Sequence, residues 1–291
     1  MSASIFADKL HAYAHLIRLD KPIGTLLLLW PTLWALWLAA DGAPRAHVLA
    51  VFMAGTLLMR SAGCALNDFA DRDFDPHVER TRQRPLASRR IGPHEALMLA
   101  ALLALVAFGL VLTLNALTIA LSFLGLFLAI SYPFTKRFLA LPQAYLGVAF
   151  GFGIPMGYAA VLGTVPLEAW VLLLANVAWT IAYDTEYAMV DREDDRRIGI
   201  RTSAILLGRF DVAAVMGCHA LFLAVLAWIG TTRGLAWPFY AGLLVAAFFV
   251  LHQYVLIRER DPERCFDAFL GNNRVGAAVF AGLALALQLP G

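Results

Sequence analysis

Charge is scarce in this chain. Lys, Arg, Asp and Glu make up 15% of its 291 residues, against about 25% in an ordinary soluble domain. So little charge excludes a disordered chain, which would be charge-rich and poor in apolar residues, and it argues against a soluble enzyme. Cysteine is scarce too. Cys64, Cys218 and Cys265 are an odd number, with no Cys-x-x-Cys pair or Cys/His cluster around them. That excludes a disulfide framework and a zinc site and leaves reduced, packed thiols. The net charge of +2 is too small for a field that gathers nucleic acid. Neither a nucleic-acid partner nor an obligate protein partner is expected.

What the chain has in excess is apolar surface. Sixty per cent of its residues are hydrophobic, and mean hydropathy is +0.70. A bilayer crossing takes about 20 mostly apolar residues. Turn and charge signals divide the chain into nine such stretches, at 23–41, 46–65, 94–113, 115–132, 141–161, 167–186, 211–230, 235–257 and 274–290. Only Asn115 interrupts the 94–132 region, but one helix of that length would be about twice the hydrocarbon thickness, so two are expected. The run from Ile23 to Ala40 exceeds a signal-peptide core and is read as an uncleaved first span. The expectation is a single all-α membrane domain covering 1–291.

Nine spans put residues 1–22, 66–93, 133–140, 187–210 and 258–274 on one side of the membrane. Those segments hold 20 of the 23 Lys and Arg residues, and the opposite side holds only Arg45 and Arg233, with Arg60 inside the second span. By the positive-inside rule the basic side, with the N-terminus, is cytoplasmic.

Two acidic clusters lie on that side. Asn67-Asp68-Phe69-Ala70-Asp71-Arg72-Asp73-Phe74-Asp75 follows the second span, and Asp184-Thr185-Glu186-Tyr187-Ala188-Met189-Val190-Asp191-Arg192-Glu193-Asp194-Asp195 ends the sixth. At about 100° per residue, a helix gathers Asn67, Asp68, Asp71 and Asp75 on one face and Asp184, Asp191 and Asp195 on another, while Asp73 points elsewhere. Pro76 blocks further helix. Like charges at i,i+4 repel, and carboxylates near hydrocarbon are costly. Facing rows of oxygen ligands become stable around divalent cations, and oxygen-only donors suit Mg²⁺ shared with substrate phosphates. Asp71 to Asp191 and Asp75 to Asp195 are each 120 residues apart. That common offset suggests a pseudo-repeat of spans 1–4 and 5–8 with a ninth helix added.

Cations stand beside the rows. Arg80 and Arg84 are spaced to clamp phosphate oxygens with guanidinium forks. Lys136 and Arg137, after Tyr132 at the end of the fourth span, and Arg18, before the first, are further anion ligands, each with membrane-surface snorkelling as the plainer reading. Gly147, Gly151, Gly153 and Gly157 have small-xxx-small packing spacing. Tyr183 and Trp179 offer ring faces to a cation, with packing as the plainer role. His11 and His15 lack any partner that would complete a site.

These residues carry a family resemblance. Asn67-Asp68-x-x-Asp71-x-x-x-Asp75 with Arg80-Thr81-x-x-Arg84-Pro85, and Tyr183-Asp184-Thr185-x-Tyr187-Ala188-x-x-Asp191-x-x-x-Asp195, resemble the two signature motifs of the UbiA superfamily of intramembrane aromatic prenyltransferases. Leu19-Asp20-Lys21-Pro22-Ile23-Gly24-Thr25, Tyr132-Pro133-Phe134-x-Lys136-Arg137, Leu141-Pro142-Gln143 and Ile198-Gly199-Ile200 resemble its 4-hydroxybenzoate branch. Glu186 and Glu193 depart from the Gln and Asp usual there, off the ligand face.

The resemblance implies nine helices around a central cavity, open sideways to lipid and capped on the cytoplasmic side of a bacterial inner membrane. It implies Mg²⁺ and a polyprenyl diphosphate, with 4-hydroxybenzoate prenylated on the carbon ortho to its hydroxyl. The implied metal ligands are Asp71, Asp75, Asp191 and Asp195, with Asn67 and Asp68 assisting. Arg18, Arg80, Arg84, Tyr132, Lys136, Arg137 and Asp184 are the implied substrate-binding residues, with Arg137 or Arg18 for the acceptor carboxylate. Another acceptor (a naphthoate, homogentisate or haem) stays open, as does a cation transporter, since intramembrane acids also mark ion paths.

Overall fold

The structure is a computed structural model describing residues 2–289, with side chains from residue 7 onward. The described residues form helices and no strand. In order they are α1 (Ser2–Leu16), α2 (Ile23–Ala40), α3 (Ala46–Ala70), α4 (Pro93–Val111), α5 (Ala116–Thr135), α6 (Pro142–Gly151) and α7 (Gly153–Leu162). There follow α8 (Leu167–Val190), α9 (Arg192–Ile198), α10 (Ser203–Leu207), α11 (Asp211–Arg233), α12 (Trp237–Ile257) and α13 (Pro262–Ala286).

Eight stretches are long and apolar enough to cross a membrane among the described residues: α2, α3, α4, α5, α6 with α7, α10 through α11, α12 and α13. The chain is thus an all-helical, multi-pass membrane protein. The sixth expected span, α8, does not meet that measure. It packs against α6, α7, α11 and α13 and encloses Asn176, Thr180, Thr185 and Glu186. Leu167, Trp170 and Leu174 remain exposed near its start, but beyond them the helix is enclosed by its neighbours, and an enclosed stretch needs no apolar face for lipid.

The last helix also corrects the sequence reading. It begins at Pro262 rather than near residue 274. Asp261 caps it by accepting from the Arg264 backbone N–H at 3.0 Å, and Pro262 supplies the preset φ of a first helical position. Its first half hides Cys265 and Asn272 against neighbours. The break between α6 and α7 follows from Pro155, which has no N–H to offer the Gly151 carbonyl and crowds it.

The main core surrounds α8. Trp179 stacks on Phe222 at 5.4 Å and lies 5.2 Å from Trp34, and its Nε1 donates to Asn272 at 2.9 Å. Trp179 is therefore packing, sealed away from any substrate. Helix α6 reaches α8 closely because Gly147 has no side chain; a Cβ there would stand 2.9 Å from the Val177 Cα.

The two ends of the bundle differ. At one end, Glu168 at the start of α8 takes a fork from Arg233 at 2.7 and 2.8 Å and a hydrogen bond from Tyr158. At the other end the loops bearing the basic residues meet. Lys9 pairs with Glu95 at 2.5 Å, Arg201 donates to the Phe138 carbonyl at 3.0 Å, and both acidic clusters lie there.

Candidate active site

Each acidic cluster sits where a long helix stops. Helix α3 ends at Ala70, and Asp71 is its C-cap with φ −97° and ψ 4°. Helix α8 ends at Val190, and Asp191 is its C-cap with φ −97° and ψ 9°. The helices are shorter than an unbroken run to Asp75 or Asp195, yet the i,i+4 link persists. The Asp75 N–H donates to the Asp71 carbonyl at 2.8 Å, and the Asp195 N–H to the Asp191 carbonyl at 2.9 Å. Asp75 precedes Pro76, which disfavours regular helix, and the chain tightens into a 3₁₀ turn at Asp75–His77.

Both clusters open onto one cavity of about 1080 Å³, beyond the usual range for a drug-sized ligand. Asn67, Asp68, Asp71, Asp75, Asp184, Asp191 and Asp195 line it, as do Arg18, Arg80, Arg84, Tyr132 and Lys136. Arg137 does not. It donates to the Ala70 carbonyl at 2.6 Å and lies against Phe74 and Phe134, so it closes the end of α3.

The cations pair directly with the acids. Lys136 reaches Asp71 at 2.5 Å. Arg80 forks onto Asp191 with Nε 3.0 Å from both oxygens and lies 4.5 Å over the Tyr187 ring. Arg84 bridges Asp68 and Asp75 at 3.1 and 3.0 Å. Arg18 forks onto Asp68 at 2.8 and 3.0 Å; its backbone is left-handed, φ 58°, where the chain turns from α1 into α2. Asp68 thus anchors two guanidinium groups.

The donor set still fits Mg²⁺. Asp71 Oδ1 is buried without a hydrogen-bond partner. Burial, then the neighbouring Asp191 carboxylate, push Asp195 up to about 7. Burial pushes Asp75 up to about 6 against the pull of Arg84. At both carboxylates burial outweighs the cations nearby, and a divalent ion would favour the ionised form. Among the described residues no three His, Cys, Asp or Glu side chains converge to enclose a metal alone.

Sequence reading gave no role to Arg60. It faces the cavity from the middle of α3, forms no ion pair among the described residues, and keeps Nη1 buried and unpartnered. Its space is made by Gly24, where a Cβ would collide with the guanidinium. Its only sequence signal was an arginine inside a span, which is costly without a purpose.

Towards the membrane the cavity turns apolar. Leu105 of α4 and Phe123 and Leu126 of α5 line it and are exposed rather than packed.

Known proteins resemble the chain in sequence and in fold. The family model described as the UbiA prenyltransferase family matches residues 28–283. A protein of Azoarcus sp. (strain BH72) named 4-hydroxybenzoate octaprenyltransferase is 66% identical over 279 residues, 96% of this chain and 97% of the relative. One of the same name from Methylobacillus flagellatus is 65% identical, covering 95% and 93%. Among solved structures, the apo form of a UbiA homolog from Aeropyrum pernix K1 superposes with a TM-score of 0.80 at 26% identity, covering 89% of this chain and 97% of that one. A UbiA homolog from Archaeoglobus fulgidus bound to GPP and Mg²⁺ has a TM-score of 0.69 at 15% identity, covering 96% and 100%, and shares the fold.

Proposed function

The chain belongs to the UbiA prenyltransferase family, and we propose that it transfers a polyprenyl group from a polyprenyl diphosphate to the ring carbon ortho to the hydroxyl of 4-hydroxybenzoate, releasing diphosphate, as in ubiquinone biosynthesis. One observation carries the reading. A single cavity joins two aspartate rows and their cations at one end to an apolar wall between α4 and α5 at the other. A diphosphate suits the first, and a prenyl tail running out into lipid suits the second.

Asp71, Asp75, Asp191 and Asp195, with Asn67, would hold Mg²⁺. Bound there, it would stabilise the negative charge that grows on the departing diphosphate. Asp68 keeps Arg18 in place. Lys136, Arg80 and Arg84 turn from their carboxylates to the diphosphate oxygens, forming charge-assisted hydrogen bonds. The allylic C–O bond then breaks and both electrons leave with the diphosphate oxygen. Tyr183 and Tyr187, which line the cavity, face the allylic cation with negative ring surfaces. Arg60 binds the acceptor carboxylate. The ortho ring carbon attacks, a new C–C bond forms, and that carbon gives up its proton to the released diphosphate. The apolar walls keep water from the cation.

The same reading places the protein in a bacterial inner membrane with its basic end, and so its diphosphate site, in the cytoplasm. The test uses membranes containing the protein, radiolabelled 4-hydroxybenzoate, Mg²⁺ and octaprenyl diphosphate, the donor for which the relatives are named. Label should enter the lipid extract. Prenylation of a naphthoate or homogentisate instead would overturn the acceptor.

A further inference from the structure

Behind the second aspartate row lies a group that the reaction above does not use. Asp211 opens α11 and is wholly buried. Its carboxylate takes two guanidinium groups from separate segments. Arg260 comes in as a fork, with Nε 3.1 Å from both oxygens and Nη2 2.8 Å from Oδ1. Arg192 reaches Oδ2. None of the three lines the cavity.

Two features show that the arrangement is imposed. Arg260 lies in the turn between α12 and α13 with φ 59°, a left-handed conformation that a residue with a Cβ holds when its surroundings compensate. The fork onto Asp211 and a 3.0 Å hydrogen bond to the Arg209 carbonyl are that compensation. A wholly buried carboxylate is also a poor choice for stability alone, since well-packed apolar groups often serve as well.

Arg192 shows what the clamp holds. It is the first residue of α9, directly after Asp191 and three before Asp195. Helix α9 has no buried residue of its own, so apolar packing does not fix it. From the cavity side it is held by Arg80 on Asp191 and by the Glu79 N–H near Asp194 at 3.4 Å. Arg80 gives up its carboxylate when diphosphate binds. The pair between Arg192 and Asp211 then remains to keep Asp191 and Asp195 in place.

We propose that Asp211 is a positioning residue for the metal-diphosphate site: through Arg192 it fixes the start of α9 and so the two aspartates of the second row. This rests on the function proposed above. The purified full-length protein would be titrated with Mn²⁺, following free Mn²⁺ by electron paramagnetic resonance and recording the unfolding temperature of each variant. Partners of metal ligands typically matter about 10- to 100-fold in metal affinity. Asp211→Asn should weaken Mn²⁺ by that order and raise the Mg²⁺ half-saturation of transfer in step, with KM for 4-hydroxybenzoate unchanged. Asp191→Asn should bind Mn²⁺ more weakly still. Wild-type Mn²⁺ affinity in a folded Asp211→Asn protein, whatever its unfolding temperature, would overturn the proposal alone. Absence of Mn²⁺ binding by the wild type would overturn the metal reading and the proposal with it. If Asp211→Asn does not fold, Arg192→Gln, which leaves the Arg260 fork intact, carries the same expectation and the same refutation.

Discussion

Asp71 and Asp191, 120 residues apart, close α3 and α8 in nearly the same backbone conformation, φ −97° with ψ 4° and 9°. Each is a C-cap, and each carboxylate meets a cation from another segment, Lys136 or Arg80. A duplicated four-helix unit would leave this correspondence.

If those cations turn to the diphosphate, removing one should weaken the donor and spare the acceptor. A hydrogen bond to a charged group is worth about 1.5–3 kcal/mol. Arg80→Ala is therefore expected to lower kcat/KM for octaprenyl diphosphate by about 10- to 100-fold. KM for 4-hydroxybenzoate should stay within about twofold, by steady-state assay.

Arg60 should show the opposite pattern. Arg60→Leu leaves the acceptor carboxylate without a partner, and KM for 4-hydroxybenzoate should rise by about 10- to 100-fold while KM for the donor holds. Gly24→Ala pushes on the guanidinium and should act in the same direction, less strongly. A donor-side effect from either variant would remove Arg60 from the acceptor role.

The site also makes stability depend on pH. Asp75 and Asp195 are raised to about 6 and about 7 by burial, so the metal-free folded state holds their protons more tightly than the unfolded state. Their contribution is fully present below the ordinary carboxylate range and is lost as pH rises through about 6 to 7. In EDTA the unfolding temperature should fall between pH 5.5 and pH 8, and Mg²⁺ should raise it more at pH 8 than at pH 5.5. Equal Mg²⁺ stabilisation at both pH values would contradict this assignment.

The far end of the bundle is expected to matter for stability only. Glu168→Ala removes the partner of Arg233 and Tyr158 and should cost about 1–3 kcal/mol, read as a lower unfolding temperature. Both KM values of the protein that remains folded should be unchanged.

The sequence made the membrane class and the acids legible because both are local properties. Apolar length announces a span, and spacings of three and four put Asn67, Asp68, Asp71 and Asp75 together on any helix-like backbone. What escaped depends on neighbours. Helix α8 carries Glu186 and Asn176 because other helices surround it, and the Glu186 Oε2 accepts from Asn272 at 2.7 Å. The start of α13 was hidden for the same reason: Asn272 is polar in sequence yet enclosed in the fold. The pairing of each aspartate with its cation, the turning away of Arg137 and the free guanidinium of Arg60 are set by tertiary placement, which spacing does not encode.

The central claim is that the two aspartate rows act as one site across the cavity. It is tested most directly by single-turnover transfer rates for Asp71→Asn, Asp191→Asn and the double variant, each confirmed as folded. Each single change should cost about 10²- to 10³-fold. Residues that act as a unit lose their effect together, so the double variant should be little worse than the poorer single one. Losses that multiply, or a rate near wild type in either single variant, would contradict one shared site.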